Sequence, residues 1–488
     1  MKLSFFLVIM FAFSLITAET TFFVRPDNIN KLKLSAQDCA FSVVQKIPRT
    51  SFWMIKSVGR SKSLKCLKVL SKVVIEDKPL NISYKSEIDP LLKFQWHLEN
   101  TGQAGTAGED ASVVKAWESI EEMGLSPGKG VKIGIIDDAF DLHHPDMEGK
   151  FLYGMDLADN DDYPYADDNE PHGTCVSGVA AAVRGNGIGV SGACPDCVIV
   201  PVRASDKLGT LENMLKAFNY LLDRGVHVIS NSWGPSDGGG SVEIPEPLAE
   251  LFEYAKTKAR DGKGVTIIFA AGNGNEDISD PDSFDGFAAN EFVIAVGAVN
   301  ADGVRSAYSD FGKDLDIVSP SSDIDTGYVW DPYATDTSRH GIWTIDARSW
   351  YGYSQMDYTA SFGGTSSATP LVSGIVGMLI SLYPDVTTEE IREILILSAD
   401  KVSPADAQYD ENGFSNLYGY GRINAAKAVE TLCEMKECSG GLEPVDEDTY
   451  PSRELDEDFI NDTDIETGDD VLIPDSRTVS GCSLTTIF

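Results

Sequence analysis

Three short segments of the chain carry an aspartate, a histidine and a serine, each beside residues that favour a turn. Asp137 ends the apolar run 131–136, His172 is followed by a glycine, and Ser366 follows a Gly-Gly-Thr stretch. A serine hydroxyl is a poor nucleophile until a base takes its proton, and a histidine base needs a third group to orient it. The residue types therefore predict Ser366 as nucleophile, His172 as base and Asp137 as the residue that orients the base.

The sequence around Ser366 also predicts how its hydroxyl is presented. Gly363 and Gly364 permit a tight backbone, and the apolar run 371–380 predicts a buried helix that begins close to Ser366. The N-terminus of a helix offers backbone N–H groups and a positive dipole end. Both would help an oxyanion to form beside the serine.

Each of these residues has a structural interpretation when it is taken alone. Gly-Thr-Ser often only caps a helix, an aspartate at a strand end is often a turn residue, and a histidine can be structural. The three together, in the order Asp, His, Ser along the chain, favour catalysis.

Short aliphatic runs alternate with helical patterns between residues 86 and 438. This alternation predicts a doubly wound α/β domain with a mostly parallel sheet, because strands buried on both faces are apolar throughout. Active sites on such sheets lie at the carboxyl ends of the strands, and Asp137 and Asn273 both follow apolar runs. The runs lie at 131–136, 198–202, 226–230, 265–270 and 292–296, and the helical patterns at 211–223 and 247–258.

From about residue 89 to residue 432 the chain resembles the subtilisin-like serine proteases, the subtilases of peptidase family S8. The motifs are Ile-Gly-Ile-Ile-Asp137, His172-Gly-Thr, Ala-Ala-Gly-Asn273 and Gly-Thr-Ser366-Ser-Ala-Thr-Pro. The resemblance implies a subtilisin-like fold and a serine endopeptidase. It also implies that the side-chain amide of Asn273 stabilises the oxyanion.

Within the subtilases the chain resembles the kexin/furin branch, through Gln-Trp-His-Leu, Asp-Asp138 and Ser-Trp-Gly-Pro-Ser-Asp237. That branch selects Arg or Lys at P1, the residue before the cut bond, with pocket carboxylates that fall at Asp237 and Asp285. The resemblance places Asp138 where a basic P2 residue is read and Glu243 where a basic P4 residue is read. A buried carboxylate favours a charged partner over an apolar one.

Three departures from the branch limit this interpretation. Ala139 stands where the branch has glycine, and residues 215–220 lack a clear second carboxylate for P4. The chain after the catalytic domain is too short for the β-sandwich P domain of the convertases.

The resemblance implies calcium as the metal, which suits carboxylate and carbonyl oxygens in flexible loops. A first site would use the side chains of Asp89, Asp146 and Asn186 and the carbonyls of Ile188 and Val190. A second site would use Asp156, Asp161 and Asp162. A third, near the specificity pocket, would use Asp237, Asp280 and Asp310.

The sequence divides into four zones. Residues 1–18 have the basic start, apolar run and small end residue of a secretory signal, and the apolar run is short for a membrane span. Residues 19–85 predict a small α+β segment that resembles a subtilase propeptide, with strand-like runs at 51–58 and 73–76 and a helical run at 61–69. We expect residues 86–438 to form the catalytic domain and residues 439–488 to be an acidic tail that is disordered or loosely attached.

Charge is distributed unevenly along the chain, whose formal net charge is −37. Residues 19–85 contain 13 basic and 5 acidic residues, whereas residues 443–477 contain 14 acidic and 2 basic ones. The acidic field excludes nucleic acid as a partner and favours cationic peptides and hard cations. A basic propeptide would dock on the acidic domain as an intramolecular inhibitor.

The chain has eight cysteines, an even number that predicts disulfides in an exported protein. We expect Cys39 to pair with Cys66 and Cys433 with Cys438. For Cys175 we expect a bond to Cys194 or Cys197 that braces the loops around His172.

We therefore expect a secreted or periplasmic, monomeric, calcium-dependent serine endopeptidase that cleaves after Arg or Lys. One alternative is a subtilase of broad or apolar P1 specificity. The other is a non-catalytic protein that uses its acidic groove to hold cationic peptides.

Overall fold

A computed structural model of the protein describes residues 20–26, 28–46, 51–57, 60–76, 88–166, 170–323, 341–348, 352–354 and 356–450. The chain divides into two compact units, Met1–Lys85 and Ser86–Phe488. The predicted signal, residues 1–18, and the predicted tail beyond residue 450 lie outside the described residues.

The first unit is a small α+β fold, as the sequence predicts. Its antiparallel sheet has the order β2-β3-β1-β4 and packs on a core that includes Phe22, Ile55 and Leu67. Cys39 and Cys66 form the expected disulfide. The elements are β1 (Thr20–Pro26), α1 (Ile29–Leu34), β2 (Phe41–Lys46), β3 (Trp53–Ser57), α2 (Arg60–Leu70) and β4 (Ser71–Glu76).

The second unit alternates strands and helices for most of its length. The strands are β5 (Lys132–Asp137), β6 (Met155–Asp156), β7 (Val198–Arg203), β8 (Val228–Asn231), β9 (Thr266–Ala270), β10 (Val293–Val299), β11 (Ile317–Pro320), β12 (Ile342–Ile345) and β13 (Tyr358–Phe362). The α-helices are α3 (Val113–Glu122), α4 (His172–Ala181), α5 (Leu211–Asp223), α6 (Glu246–Thr257), α7 (Ala259–Gly262), α8 (Thr365–Leu382), α9 (Thr388–Ser398), α10 (Pro404–Ala407) and α11 (Ala425–Met435). Short 3₁₀ helices lie at Leu92–Phe94, Pro145–Met147 and Ser205–Lys207.

The central sheet has seven strands in the order β11-β10-β9-β8-β5-β7-β6, and every neighbouring pair is parallel. Successive side chains of a strand enter two different apolar cores. Ile268 packs in the core that contains α4 and α8, whereas Ile267 and Phe269 pack in the core that contains α5 and α6. The predicted doubly wound α/β fold is therefore confirmed, and burial of both faces explains the unbroken apolar runs.

Helix α8 is the core helix of this unit, and all of its residues are buried. Among the described residues it is the one helix long and apolar enough to cross a membrane, a test that buried core helices also pass. Burial on every side requires such an apolar composition. Its first turn carries Ser366 to the carboxyl edge of the sheet, where β5, β8 and β9 also end.

The start of the predicted tail is folded onto the catalytic unit, so the prediction of disorder from residue 439 is wrong for residues 439–450. Glu447 forms ion pairs with Lys132 and with Arg224, the latter at 2.7 Å. Tyr450 is 5% exposed, and its N–H donates to the carbonyl of Phe151 at 3.0 Å. In this segment the tertiary contacts of Glu447 and Tyr450 favour a folded conformation more than the acidic composition disfavours it.

The cysteines of the catalytic unit differ from expectation at one pair. Cys433 and Cys438 are bonded as expected, but Cys194 pairs with Cys197. Cys175 is buried and forms no disulfide among the described residues, and its thiol lies 3.8 Å from a carboxylate oxygen of Asp346. The expected bond from Cys175 is therefore absent, because its side chain turns toward Asp346. Cys482 lies outside the described residues.

Candidate active site

Asp137 and His172 meet at the carboxyl edge of the sheet, because β5 ends at Asp137 and α4 begins at His172. His172 Nδ1 lies 2.7 Å from Asp137 Oδ1. Both side chains are largely buried, and the ring of Phe362 packs edge-on against the imidazole. Burial alone would lower the pKa of His172, but the carboxylates of Asp137 and Asp138 raise it well above its ordinary value.

Asp138 contacts the backbone at the start of α4. Its Oδ2 accepts a hydrogen bond from the N–H of His172 at 3.0 Å, and its Oδ1 accepts one from the N–H of Gly173 at 2.6 Å. Burial, and then the neighbouring Asp137, raise the pKa of Asp138. The residue expected to read P2 thus holds the helix that carries His172.

Ser366 forms two hydrogen bonds with Ser232, which follows β8. Pro370 has no N–H, so the carbonyl of Ser366, four residues earlier, lacks its helical donor. The Ser232 hydroxyl donates to that carbonyl at 3.0 Å, and Ser366 Oγ donates to the Ser232 carbonyl at 3.3 Å. The sequence analysis missed Ser232, although Pro370 within an apolar helix signals a carbonyl that needs a partner.

The hydroxyl of Ser366 and the imidazole of His172 are not hydrogen-bonded in this conformation. His172 Nε2 and Asp137 Oδ2 are both buried and have no hydrogen-bond partner among the described residues. Catalytic hydrogen bonds are often long or absent before a substrate binds. Rotation of the serine hydroxyl away from Ser232 is needed to complete the Asp-His-Ser chain.

Asn273 lies beside the first turn of α8. Its Oδ1 accepts from the N–H of Thr365 at 2.8 Å and from the Thr365 hydroxyl at 3.1 Å. Since these two donors fix the oxygen side of the amide, the NH₂ group is turned away from Thr365 and remains a donor. The predicted oxyanion donor is thus positioned by a threonine that the sequence analysis did not single out.

A polar pocket adjoins Asn273 and contains four acidic side chains. Asp237, Asp285, Asp310 and Glu276 all line it, and Glu276 was not predicted. Burial raises the pKa of Asp285 to about 6 and that of Asp310 to about 8. None of the four pairs with a basic side chain in the described part of the chain. The pocket therefore favours a cation.

Two residues assigned to this region lie elsewhere. Glu243 is exposed and is not part of the pocket lining. Asp280 is also exposed, and its Oδ1 accepts from the N–H of Asp282 at 2.9 Å within its own turn. The structure brings Asp237 and Asp310 together but does not add Asp280 to them.

The residues of the first expected calcium site converge. Asp89 and Asp146 are 1% and 0% exposed, and both contact the loop 185–191. Asp146 Oδ1 accepts from the Asn186 amide at 2.8 Å, and Ser191 Oγ donates to Asp89 at 2.6 Å. Burial, with a smaller contribution from Asp89, raises the pKa of Asp146 to about 7.

This arrangement fits a hard cation. Two buried carboxylates repel each other, and neither forms an ion pair with a basic side chain among the described residues. Oxygen ligands in a loop are what calcium prefers. The Ile188 side chain is 39% exposed whereas Val190 is fully buried, and both were expected to contribute only their carbonyls.

The carboxylates of the second expected calcium site, Asp156, Asp161 and Asp162, do not form a cluster among the described residues. Asp156 Oδ2 accepts from Arg203 at 2.9 Å, and the same guanidinium also pairs with Asp159 and Glu170. Asp161 and Asp162 are exposed. Within the described ranges, the only group of three acidic, histidine or cysteine side chains with ligand atoms within 4.8 Å of one another is Asp137, Asp138 and His172. Arg203 therefore places a positive charge beside Asp156.

Comparison with known proteins agrees with this geometry. The model of the subtilase family (Peptidase S8) matches residues 128–421. A calcium-dependent protease of Trichormus variabilis is 38% identical over 69% of this chain and 51% of its own length. Neuroendocrine convertase 2 of Rattus norvegicus is 31% identical over 72% of this chain and 55% of its own length.

A solved structure is also similar. The serine protease of Aeromonas sobria is 26% identical and superposes with a TM-score of 0.60, covering 75% of this chain and 72% of that one. The chain spans about half the length of the curated relatives it matches. By the family match and the shared fold, the chain belongs to the subtilase family, peptidase family S8, a family of serine-type hydrolases.

Proposed function

We propose that the protein is a secreted, calcium-dependent serine endopeptidase that cleaves after Arg or Lys. The observation that carries the catalytic part is the 2.7 Å contact between His172 Nδ1 and Asp137, with His172 Nε2 unpartnered among the described residues. An imidazole held in this way presents its second nitrogen as a base. Ser366, on the first turn of α8, is the nucleophile that this nitrogen serves.

The reaction uses the chain's own groups at each step. Ser366 Oγ attacks the scissile carbonyl carbon while His172 Nε2 takes the hydroxyl proton. The Asn273 amide and the N–H of Ser366 donate to the oxyanion, and Asp137 stabilises the imidazolium. His172 then protonates the leaving amine as the C–N bond breaks, and water releases the acyl group by the same steps in reverse.

Specificity for a basic P1 residue rests on the carboxylates of the pocket beside Asn273. Asp285 is 8% exposed, and two backbone N–H groups fix its Oδ1. A guanidinium or ammonium group would stabilise its ionised form, whereas an apolar P1 side chain would bury it unpaired. Glu243, being exposed, offers a charge for P4 only at the surface.

Calcium is proposed at the site of Asp89, Asp146 and Asn186, with the carbonyls of Ile188 and Val190. A bound cation there would offset the two buried negative charges and hold the loop 185–191 to the N-terminal segment of the catalytic unit. Two relatives bear the name calcium-dependent protease, which supports this proposal.

The small N-terminal unit is proposed to be a propeptide that inhibits the enzyme until it is removed. Its folded α+β structure and its basic composition support this role. We propose cationic peptides or proteins as substrates and a monomeric enzyme outside the cell.

A peptide library varied at P1 tests the proposal, with added calcium or excess chelator and with Ser366→Ala as the blank. It is run before and after proteolytic removal of residues 19–85. We expect calcium-dependent cleavage after Arg or Lys that is absent in the blank. Cleavage without basic preference would contradict the roles of Asp237 and Asp285. Absence of any Ser366-dependent cleavage would favour the peptide-binding alternative.

A further inference from the structure

The first N–H groups of helix α4 are bound by a carboxylate from another part of the chain. Pro171 precedes the helix and supplies no side-chain cap. Asp138 instead accepts from the N–H groups of both His172 and Gly173. Groups at a helix start have no partner within the helix, and a negative charge there is also favoured by the helix dipole.

The contact between this carboxylate and the helix is unusually close. A side chain on Gly173 would place its Cβ 2.5 Å from the carbonyl oxygen of Ala139 and 3.2 Å from Asp138 Oδ1. Glycine is therefore required for the loop 137–139 to lie against the helix. Asp138 Oδ1 also accepts from the N–H of Ala139 at 2.5 Å, so both lone pairs of that oxygen are used.

The same carboxylate is one of the two charges that act on the His172 imidazole, because an oxygen of each carboxylate lies within 4.8 Å of a ring nitrogen. The other is Asp137, which is the last residue of β5 and is followed directly by Asp138. Arg203, at the end of β7, is paired with Asp156, Asp159 and Glu170. Asp346, which follows β12, contacts the thiol of Cys175, and α8 contains no charged residue. Among the described residues, Asp138 is thus the one charged group besides Asp137 that lies beside the His172 imidazole.

We propose that Asp138 is a positioning residue for His172: it holds the backbone of this histidine and places a second carboxylate beside its imidazole. This role rests on the proposed function, in which His172 is the base, and it differs from recognition of a P2 side chain. The carboxylate performs it with every substrate, whatever residue stands at P2. The single free lone pair of Oδ2 is what remains for a P2 cation.

Two variants separate the hydrogen bonds from the charge. Asp138→Ser keeps a hydroxyl acceptor for the helix but removes the charge, and Asp138→Asn removes the charge and turns an NH₂ group toward one of the two N–H donors. Asp206→Asn is the matched control, because Asp206 is an exposed carboxylate in the nearby turn Ser205–Lys207. All are assayed with a substrate that has Arg at P1 and Ala at P2.

We expect kcat to fall on the order of ten- to a hundredfold in Asp138→Asn and less in Asp138→Ser. In both variants the acidic limb of the kcat profile should move to lower pH by about one unit or more, because a negative charge near the imidazolium is lost. KM for the Ala-P2 substrate should stay close to that of the parent, and Asp206→Asn should match the parent in every value.

A role in P2 recognition alone would leave kcat and the pH limb unchanged with Ala at P2, which would overturn the proposal. A merely structural role would lower the melting temperature and the amount of active enzyme but leave the pH limb in place, which would also overturn it. An NMR titration of the His172 ring in Ser366→Ala, with and without Asp138→Ser, gives the pKa without any turnover. It therefore tests Asp138 even if the proposed hydrolysis is not observed.

Discussion

Two opposing influences act on the pKa of His172. Burial disfavours the imidazolium, whereas Asp137 at 2.7 Å and Asp138 favour it, and the carboxylates prevail. The resting enzyme therefore holds a histidine that is protonated more readily than a free imidazole. We proposed His172 as the general base, which must be neutral to act, so this shift would set the lower pH limit of activity.

The pH dependence follows with a definite sign. Because the pKa of His172 is raised, kcat/KM should increase with pH through an acidic limb that lies above 6.5, the ordinary value for histidine. Asp137→Asn should move the limb downward and lower kcat by about 10⁴-fold, since the histidine loses its orienting group. Initial rates with a peptide whose only ionisable side chain is the P1 arginine measure both effects. An acidic limb at or below pH 6.5 in the parent would contradict the conclusion that the carboxylates outweigh burial in setting the pKa of His172.

At Asp285 the prediction concerns which P1 side chain is accepted. Asp285→Asn removes a buried charge that only a cation can pair, so kcat/KM for P1 Arg should fall by about 10²–10³-fold, whereas uncharged P1 residues should gain. Steady-state kinetics on matched Arg and Leu peptides measure the ratio. Asp282→Asn, an exposed carboxylate on the same loop, should leave the ratio unchanged. An equal loss for both peptides in Asp285→Asn would show a structural role instead.

Among the elements, helix α8 shows how a break in regular bonding places the nucleophile. Pro370 removes one donor from the helix, and Ser232 at the end of β8 replaces it. The hydrogen bonds between Ser232 and Ser366 thereby join the start of α8 to the end of β8. A regular helix would satisfy that carbonyl internally and leave the position of Ser366 less constrained.

Removal of the Ser232 hydroxyl tests the contribution of its hydrogen bond to the Ser366 carbonyl. Ser232→Ala leaves the buried Ser366 carbonyl unsatisfied and should reduce the free energy of unfolding by about 1–3 kcal/mol. It should also lower kcat several-fold, because the nucleophile is less well held. Thermal unfolding and kcat are compared with Ser119→Ala, which removes a hydroxyl on the exposed side of α3 and should change the free energy by less than about 0.5 kcal/mol. Equal stability of the two variants would count against this contribution.

The helices and strands could be predicted well from the sequence, but the contacts between residues that are distant in sequence could not. The apolar run 265–270 became β9, and the helical pattern 211–223 became α5 with the same bounds, because burial and periodicity are local in sequence. The hydrogen bonds between Ser232 and Ser366 join residues 134 positions apart, and the pairing of Arg203 with Asp156 was not predicted. Such contacts depend on tertiary placement, for which one sequence gives no direct signal.

The molecule as a whole combines two compact units with a C-terminal segment that folds back on the second. Tyr450 packs among Tyr153, Tyr163 and His143, and its hydroxyl donates to the carbonyl of Asp162 at 2.7 Å. Composition predicted a disordered or loosely attached segment here, since 4 of the 12 residues at 439–450 are acidic and only Tyr450 is aromatic. The buried ring of Tyr450 and the ion pairs of Glu447 hold the segment to the catalytic unit, together with hydrogen bonds from the N–H groups of Ser439 and Gly440 to the Leu382 carbonyl.

Tyr450 is therefore expected to stabilise the catalytic unit from outside its family-matched region. Tyr450→Ala should reduce the free energy of unfolding by about 3 kcal/mol, as for other buried aromatic residues. Tyr254→Ala serves as the control, since Tyr254 is 52% exposed on α6 and should change stability little. Chemical denaturation of the two variants measures the difference. If both unfold at the same denaturant concentration as the parent, the segment is not part of the stable fold.

The most direct test of Ser366 as the nucleophile is covalent labelling with a fluorophosphonate, followed by mass spectrometry of the digested protein. Attack by Ser366 Oγ forms a phosphorus–oxygen bond and releases fluoride, with His172 taking the proton. We predict one adduct, located on Ser366, that is lost in Ser366→Ala and strongly reduced in His172→Ala. An unlabelled Ser366 in protein freed of residues 19–85 and supplied with calcium, or an adduct on another residue, would contradict the assignment of Asp137, His172 and Ser366 as the catalytic groups.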